Sequence, residues 1–67
     1  MTMRFLRIQD VMSLTGLARS TIYKFMDEDV FPKTIPLGGR AVGWLESEIE
    51  EWMESRLSMR DNQQPIQ

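Results

Sequence analysis

The chemistry open to this chain is that of cations and hydroxyls rather than thiols or imidazoles. Its 67 residues include no cysteine and no histidine. That removes disulfides, thiolate metal sites, the commonest general base and the commonest zinc ligand. What stands out is the run Arg19-Ser20-Thr21-Ile22-Tyr23-Lys24, then Lys33, then the tip Gly38-Gly39-Arg40. An arginine can bridge O6 and N7 of guanine, serine and threonine hydroxyls bond to base edges, and a threonine methyl packs on that of thymine. Tyr23 and Lys24 suit phosphate oxygens better. Glycines such as Gly38 and Gly39 let a backbone approach a phosphate closely, and an arginine at such a tip can enter a minor groove.

Each of these features also has a plainer reading. Every surface helix has a solvated polar face, and Arg40 could be only a charged turn residue. The coincidence of a cationic helix and a cation at a glycine tip, within one short domain, favours contact with double-stranded DNA. Enzymatic chemistry is not expected. Glu46, Glu50, Glu51 and Glu54 fall on one outward helix face rather than in a cleft, and so small a core leaves little room for a pocket. No cofactor, metal or small-molecule substrate is therefore assigned.

The elements that must carry these residues follow from hydrophobic spacing. Ile8, Val11, Met12 and Thr15 recur at helical intervals, predicting a first helix over about Gln9 to Thr15 that Gly16 ends. Ile22, Phe25 and Met26 form the apolar stripe of a second, from about Arg19 to Asp27. Ser20 and Lys24 lie opposite that stripe, with Thr21 and Tyr23 on its flanks. Two short helices joined through a glycine fit a helix-turn-helix, although a plain helical hairpin fits them equally well. Phe31-Pro32 then breaks the helical pattern. Thr34–Leu37 and Arg40–Trp44 are extended runs around Gly38-Gly39, which predicts a β-hairpin, with Pro36 confining its strand to an edge or to an irregular pairing. Leu45, Ile49, Trp52 and Met53 share one side of a last helix, placed from about Leu45 to Leu57, with Arg56 near its end as the helix dipole favours. The fold class expected is mainly α with a small β-hairpin wing, a winged helix-turn-helix over residues 1–57, followed by a flexible polar tail over 58–67.

Charge is unevenly placed. The formal net charge is −2, which looks wrong for a nucleic-acid binder until it is mapped. Met1 to Gly43 carries six basic and four acidic residues, while Trp44 to Leu57 carries five acids and one base. The acidity thus sits in the last helix, and the remainder is mildly basic. That acidic face supports a second reading, a protein-interaction module. No apolar run is long enough to span a bilayer and no signal peptide begins the chain, so the expected setting is cytoplasmic, bacterial or phage-encoded, with no membrane partner.

Leu14-Thr15-Gly16-Leu17-Ala18-Arg19-Ser20-Thr21-Ile22-Tyr23-Lys24, Phe31-Pro32-Lys33, Arg40-Ala41-Val42-Gly43-Trp44 and Glu48-Ile49-Glu50-Glu51-Trp52 together resemble the AlpA family of prophage regulatory proteins. That family is related to phage excisionases and, more distantly, to the MerR-type winged helix. The resemblance runs from about Arg4 to Arg56 with its blocks in order. It implies a DNA-binding transcriptional regulator near phage or prophage integrase genes, promoting integrase expression and hence excision. A directionality factor that bends DNA, as excisionases do, is the alternative it leaves open. It also implies that Arg19, Ser20, Thr21, Tyr23 and Lys24 lie on the recognition helix and Arg40 on the wing. Lys33 and Gly39, singled out by residue type and position, complete the expected contact set. Self-association on DNA, and contact with RNA polymerase or integrase, are further expectations. Three residues depart from the family pattern. Ala18 replaces a capping serine, Asp29 a common glycine, and Thr34 a common proline.

Overall fold

In the computed structural model, which describes residues 3–62, six elements follow one another. They are β1 (Phe5–Leu6), α1 (Ile8–Thr15), α2 (Arg19–Asp27), β2 (Ile35–Gly38), β3 (Ala41–Leu45) and α3 (Glu46–Asn62). The two expected short helices are present, and Gly16 between them takes the left-handed conformation at φ 74°. Thr15 ties this turn together. Its hydroxyl donates to the Val11 carbonyl at 2.7 Å and accepts from the Leu17 amide at 3.2 Å. Leu17 thereby packs against the core. At the other end of α1, the Asp10 carboxylate accepts the Arg7 amide at 3.0 Å, satisfying a backbone donor at the helix start.

The core is built from one residue of nearly every element. Leu6, Val11, Ile22, Phe31, Trp44 and Ile49 are buried, and Ile8, Met12, Leu17, Phe25, Met26, Trp52 and Met53 pack around them. The apolar stripes expected on all three helices therefore face inward.

The sheet has three strands rather than the expected two, in the antiparallel order β1-β3-β2. Strand β1, which the hydrophobic pattern did not predict, pairs Phe5 with Leu45 and Leu6 with Trp44. Its approach continues beyond the strand, where the Glu46 amide donates to the Arg4 carbonyl at 2.8 Å and the Arg4 guanidinium meets the Glu46 carboxylate at 3.2 Å. Gly43 makes the pairing possible. A Cβ there would stand 2.6 Å from the Leu6 carbonyl oxygen and 2.9 Å from Leu37 Cδ1. Strand β2 is an edge strand, as Pro36 requires, with Pro36 opposite Val42. The hairpin turns one residue later than expected, at Gly39-Arg40, with a register irregularity between Pro36 and Gly38. Gly38 and Gly39 both hold positive φ, 125° and 55°, which a side chain would resist.

Helix α3 continues to Asn62, five residues past the boundary expected at Leu57. Ser58 to Asn62 are helical rather than the start of a flexible tail, and Gln63 to Gln67 lie outside the described residues. Arg56 is accordingly an interior residue of α3, and the basic residue of its last turn is Arg60.

Replacing Gly43 with alanine should lower the stability of the domain by about 1–3 kcal/mol, the usual range for forcing an extra carbon into a filled site. A urea midpoint equal to that of the parent would show that β1 does not press on Gly43 as described.

Candidate nucleic-acid interface

Helix α2 carries most of the candidate residues, and its two ends are built very differently. At the amino end Ala18 occupies the N-cap position and makes no side-chain hydrogen bond, and no acidic residue lies in the first turn. The first-turn amides of α2 therefore lack a side-chain acceptor, at the end where the helix dipole favours a negative charge. The carboxyl end is closed tightly. The Val30 amide donates to the Phe25 carbonyl at 2.9 Å and the Asp29 amide to the Met26 carbonyl at 3.1 Å. This is a Schellman motif, with the left-handed position, usually glycine, held by Asp29 at φ 62°.

Lys33 secures that end. Its ammonium donates to the Met26 carbonyl and pairs with the Asp29 carboxylate at 2.8 Å. Hydrogen bonding by Lys33, and then its charge, hold the Asp29 carboxyl below its ordinary value of 3.8. A cation here offsets Asp27, Glu28 and Asp29, three acids that stand where the helix dipole disfavours them. One of the expected contact residues is thus already engaged within the molecule.

The other candidates divide by exposure. Arg19, Ser20, Tyr23 and Lys24 are exposed on α2, while Thr21 is half-buried. Gly39 and Arg40 are exposed at the hairpin tip. Among the described residues the ion pairs are Arg4–Glu46, Lys33–Asp29 and Arg60–Asp61, so Arg19, Lys24 and Arg40 have no carboxylate within 4.0 Å. Arg19 instead lies over the Tyr23 ring, 5.8 Å from its centroid. Among the described residues, no group of three or more acidic, histidine or cysteine side chains is arranged to hold a metal.

Sequence reasoning missed the residues that hold this surface in place. The loop between α2 and β2 is fastened by two indoles. Trp52 Nε1 donates to the Val30 carbonyl at 2.6 Å, and Trp44 Nε1 to the Pro32 carbonyl at 2.9 Å. Phe31 sits between them, edge-on to Trp52 at 4.7 Å and to Trp44 at 6.4 Å. Arg56 adds a bond to the Val30 carbonyl at 3.4 Å while lying 4.9 Å over the Trp52 ring. The available signal was the tryptophans themselves, since a packed indole N–H generally finds an acceptor.

Two helices joined by a three-residue glycine-containing turn, followed by an antiparallel hairpin and a closing helix, define a winged helix-turn-helix domain. Residues 4–57 match the family model described as prophage CP4-57 regulatory protein (AlpA). The chain belongs to that family, one of regulatory proteins rather than enzymes. It is 40% identical over 62 aligned positions to a protein of Escherichia coli K12 named DNA-binding transcriptional activator AlpA, with 84% of this chain and 89% of that protein covered. It is 49% identical over 57 positions to an uncharacterized protein, ORF88, of enterobacteria phage P4, with 85% of this chain covered. The match spans 65% of the phage protein's length. Among the described residues, no helix is long and apolar enough to cross a membrane.

The lowered Asp29 pKa fixes a pH dependence. A depressed carboxylate contributes stability above its unfolded value and loses it as pH falls through its folded one. In thermal melts, the deficit of a Lys33→Met variant relative to the parent should stay constant from neutrality down to about pH 4, near the ordinary Asp29 value, and shrink below it. A deficit that stays constant throughout the acid range would mean the ion pair contributes nothing.

Proposed function

We propose that this chain is a sequence-specific regulator that binds double-stranded DNA through α2 and the wing. The observation that carries the reading is the exposure of Arg19, Ser20, Tyr23 and Lys24 on one short helix, with Arg19 and Lys24 free of carboxylate partners among the described residues. A third exposed cation, Arg40, stands at a tight glycine turn. The E. coli relative's name supports the same assignment. In this reading α2 enters the major groove, where its N-terminal residues meet base edges. Arg19, Ser20 and Thr21 address bases and Lys24 a phosphate, Thr21 through whatever its half-buried position leaves free. Arg40 follows the adjacent minor groove, with Gly39 allowing the backbone close to a phosphate. Lys33 acts indirectly by holding the end of α2.

The target is DNA upstream of a phage or prophage integrase gene, so that binding controls integrase expression and, through it, excision. A lone domain of this size offers few phosphate contacts. Two copies on neighbouring half-sites, about one helical turn apart, would supply the rest.

A fluorescence anisotropy titration against duplex DNA from upstream of the adjacent integrase gene tests this directly. Tighter binding than to scrambled DNA is expected, with log affinity falling by about 0.9 per neutralised phosphate for each decade of salt. Lys24→Ala should weaken both DNAs alike and make that slope shallower by about one contact. Arg40→Ala should also weaken binding. Equal affinity for both duplexes, unchanged in either variant, would remove the proposed function and turn attention to the acidic face of α3.

A further inference from the structure

Arg19 is the first residue of α2, and among the described residues no carboxylate pairs with its side chain. Ala18 provides no cap, no acid lies in the first turn, and the dipole there is unfavourable to a cation. The partner its guanidinium does have is the ring of Tyr23, one helical turn on, with the guanidinium carbon 5.8 Å from the centroid. Residues four apart on a helix are neighbours on its surface, and both of these are exposed. A cation over an aromatic face is attracted by the ring quadrupole.

This geometry has a consequence for recognition. A guanidinium carries its five N–H donors around its planar edge. The ring offers no carboxylate or carbonyl acceptor, so it commits none of those donors to a fixed polar partner and a paired acceptor such as O6 and N7 of guanine can take them. It also restricts a long, rotamer-rich side chain before binding, which reduces the ordering cost of association.

We propose that Tyr23 is a positioning residue, whose ring holds the Arg19 guanidinium ready to read a guanine edge and whose hydroxyl is dispensable. The proposal rests on the DNA-binding reading and changes one expectation drawn from the sequence, because Tyr23 acts through Arg19 instead of through a phosphate.

Two measurements on the full chain test it. The first needs no DNA. In proton NMR spectra the Arg19 δ-methylene resonances should be shifted upfield by the ring in the parent and in Tyr23→Phe, and should return toward ordinary positions in Tyr23→Leu. The second uses duplexes enriched by the protein itself from a random pool, together with their single-base-pair variants. Arg19→Ala should lose about 5- to 150-fold discrimination at one base pair, the range for a bidentate contact. Tyr23→Leu should lose about 2- to 5-fold at that same pair, and adding it to Arg19→Ala should cost nothing further there. Tyr23→Phe should keep the parent's discrimination and salt slope.

The proposal is overturned if Tyr23→Phe binds all duplexes more weakly with a shallower salt slope, because the hydroxyl is then a phosphate contact. It is also overturned if Tyr23→Leu discriminates as well as the parent. Failure to enrich any duplex, with the Arg19 resonances still shifted, would remove the DNA-binding reading and the recognition role together while leaving the stack itself intact.

Discussion

Two indole N–H groups, each bonded to a carbonyl of the same short loop, are the constraint on which the arrangement of this domain depends. Trp52 holds Val30 and Trp44 holds Pro32, and Phe31 between them is buried against both rings. The loop begins where the Schellman motif closes α2 and leads into the first strand of the wing. Fastening it therefore ties the end of one proposed reading element to the start of the other. The Trp44 bond also has an energetic side, since this indole is fully buried and a buried donor left without its acceptor costs about 1–3 kcal/mol. In a domain too small for a large core, directional bonds from the largest side chains do much of the positioning that bulk burial does elsewhere.

Charge is partitioned around this frame according to work. Lys33 and Arg56 serve the frame, one closing α2 and the other lying on Trp52 and bonding Val30. Arg4 joins β1 to the start of α3 through Glu46. Among the described residues Arg19, Lys24 and Arg40 have no carboxylate partner and stand exposed, as the proposed contact with a polyanion would require. The glutamates of α3 lie in the first half of a helix whose amino end tolerates them, so an acidic chain can still expose cations on its other elements. A net charge of −2 is thus a weak guide to partners when the acids are concentrated in one element.

The local features of the fold were legible and the non-local ones were not. Helices α1 and α2, the left-handed Gly16 and the edge position of Pro36 all follow from residue spacing or from one residue's backbone chemistry. Strand β1 is two residues long and exists only because Leu45 and Trp44 lie beside it, a pairing that no local pattern encodes. Gly43, a glycine inside a strand, was the trace it left. The extension of α3 escaped for a different reason. Ser58 to Asn62 lack an apolar stripe, yet an established helix adds residues far more readily than a new one starts. Of the candidate site, the exposed set on α2 and the tip arginine were legible from residue type and face. Lys33 was not, because only the fold reveals that Asp29 and the Met26 carbonyl lie within its reach. Asp29 was expected to stand at a glycine position of the family, and its φ of 62° is a left-handed conformation that glycine adopts most readily.

The central claim is that α2 and the wing form one DNA-contacting surface. Backbone amide shifts of the labelled chain, followed by NMR during titration with a duplex that the protein enriches from a random pool, test it most directly. The account predicts that the amides of Arg19 to Lys24 and of Gly38 to Arg40 move together along one binding curve, while those of Glu50 and Glu54 stay put. Movement confined to α3, or an α2 response with a silent wing, would contradict it.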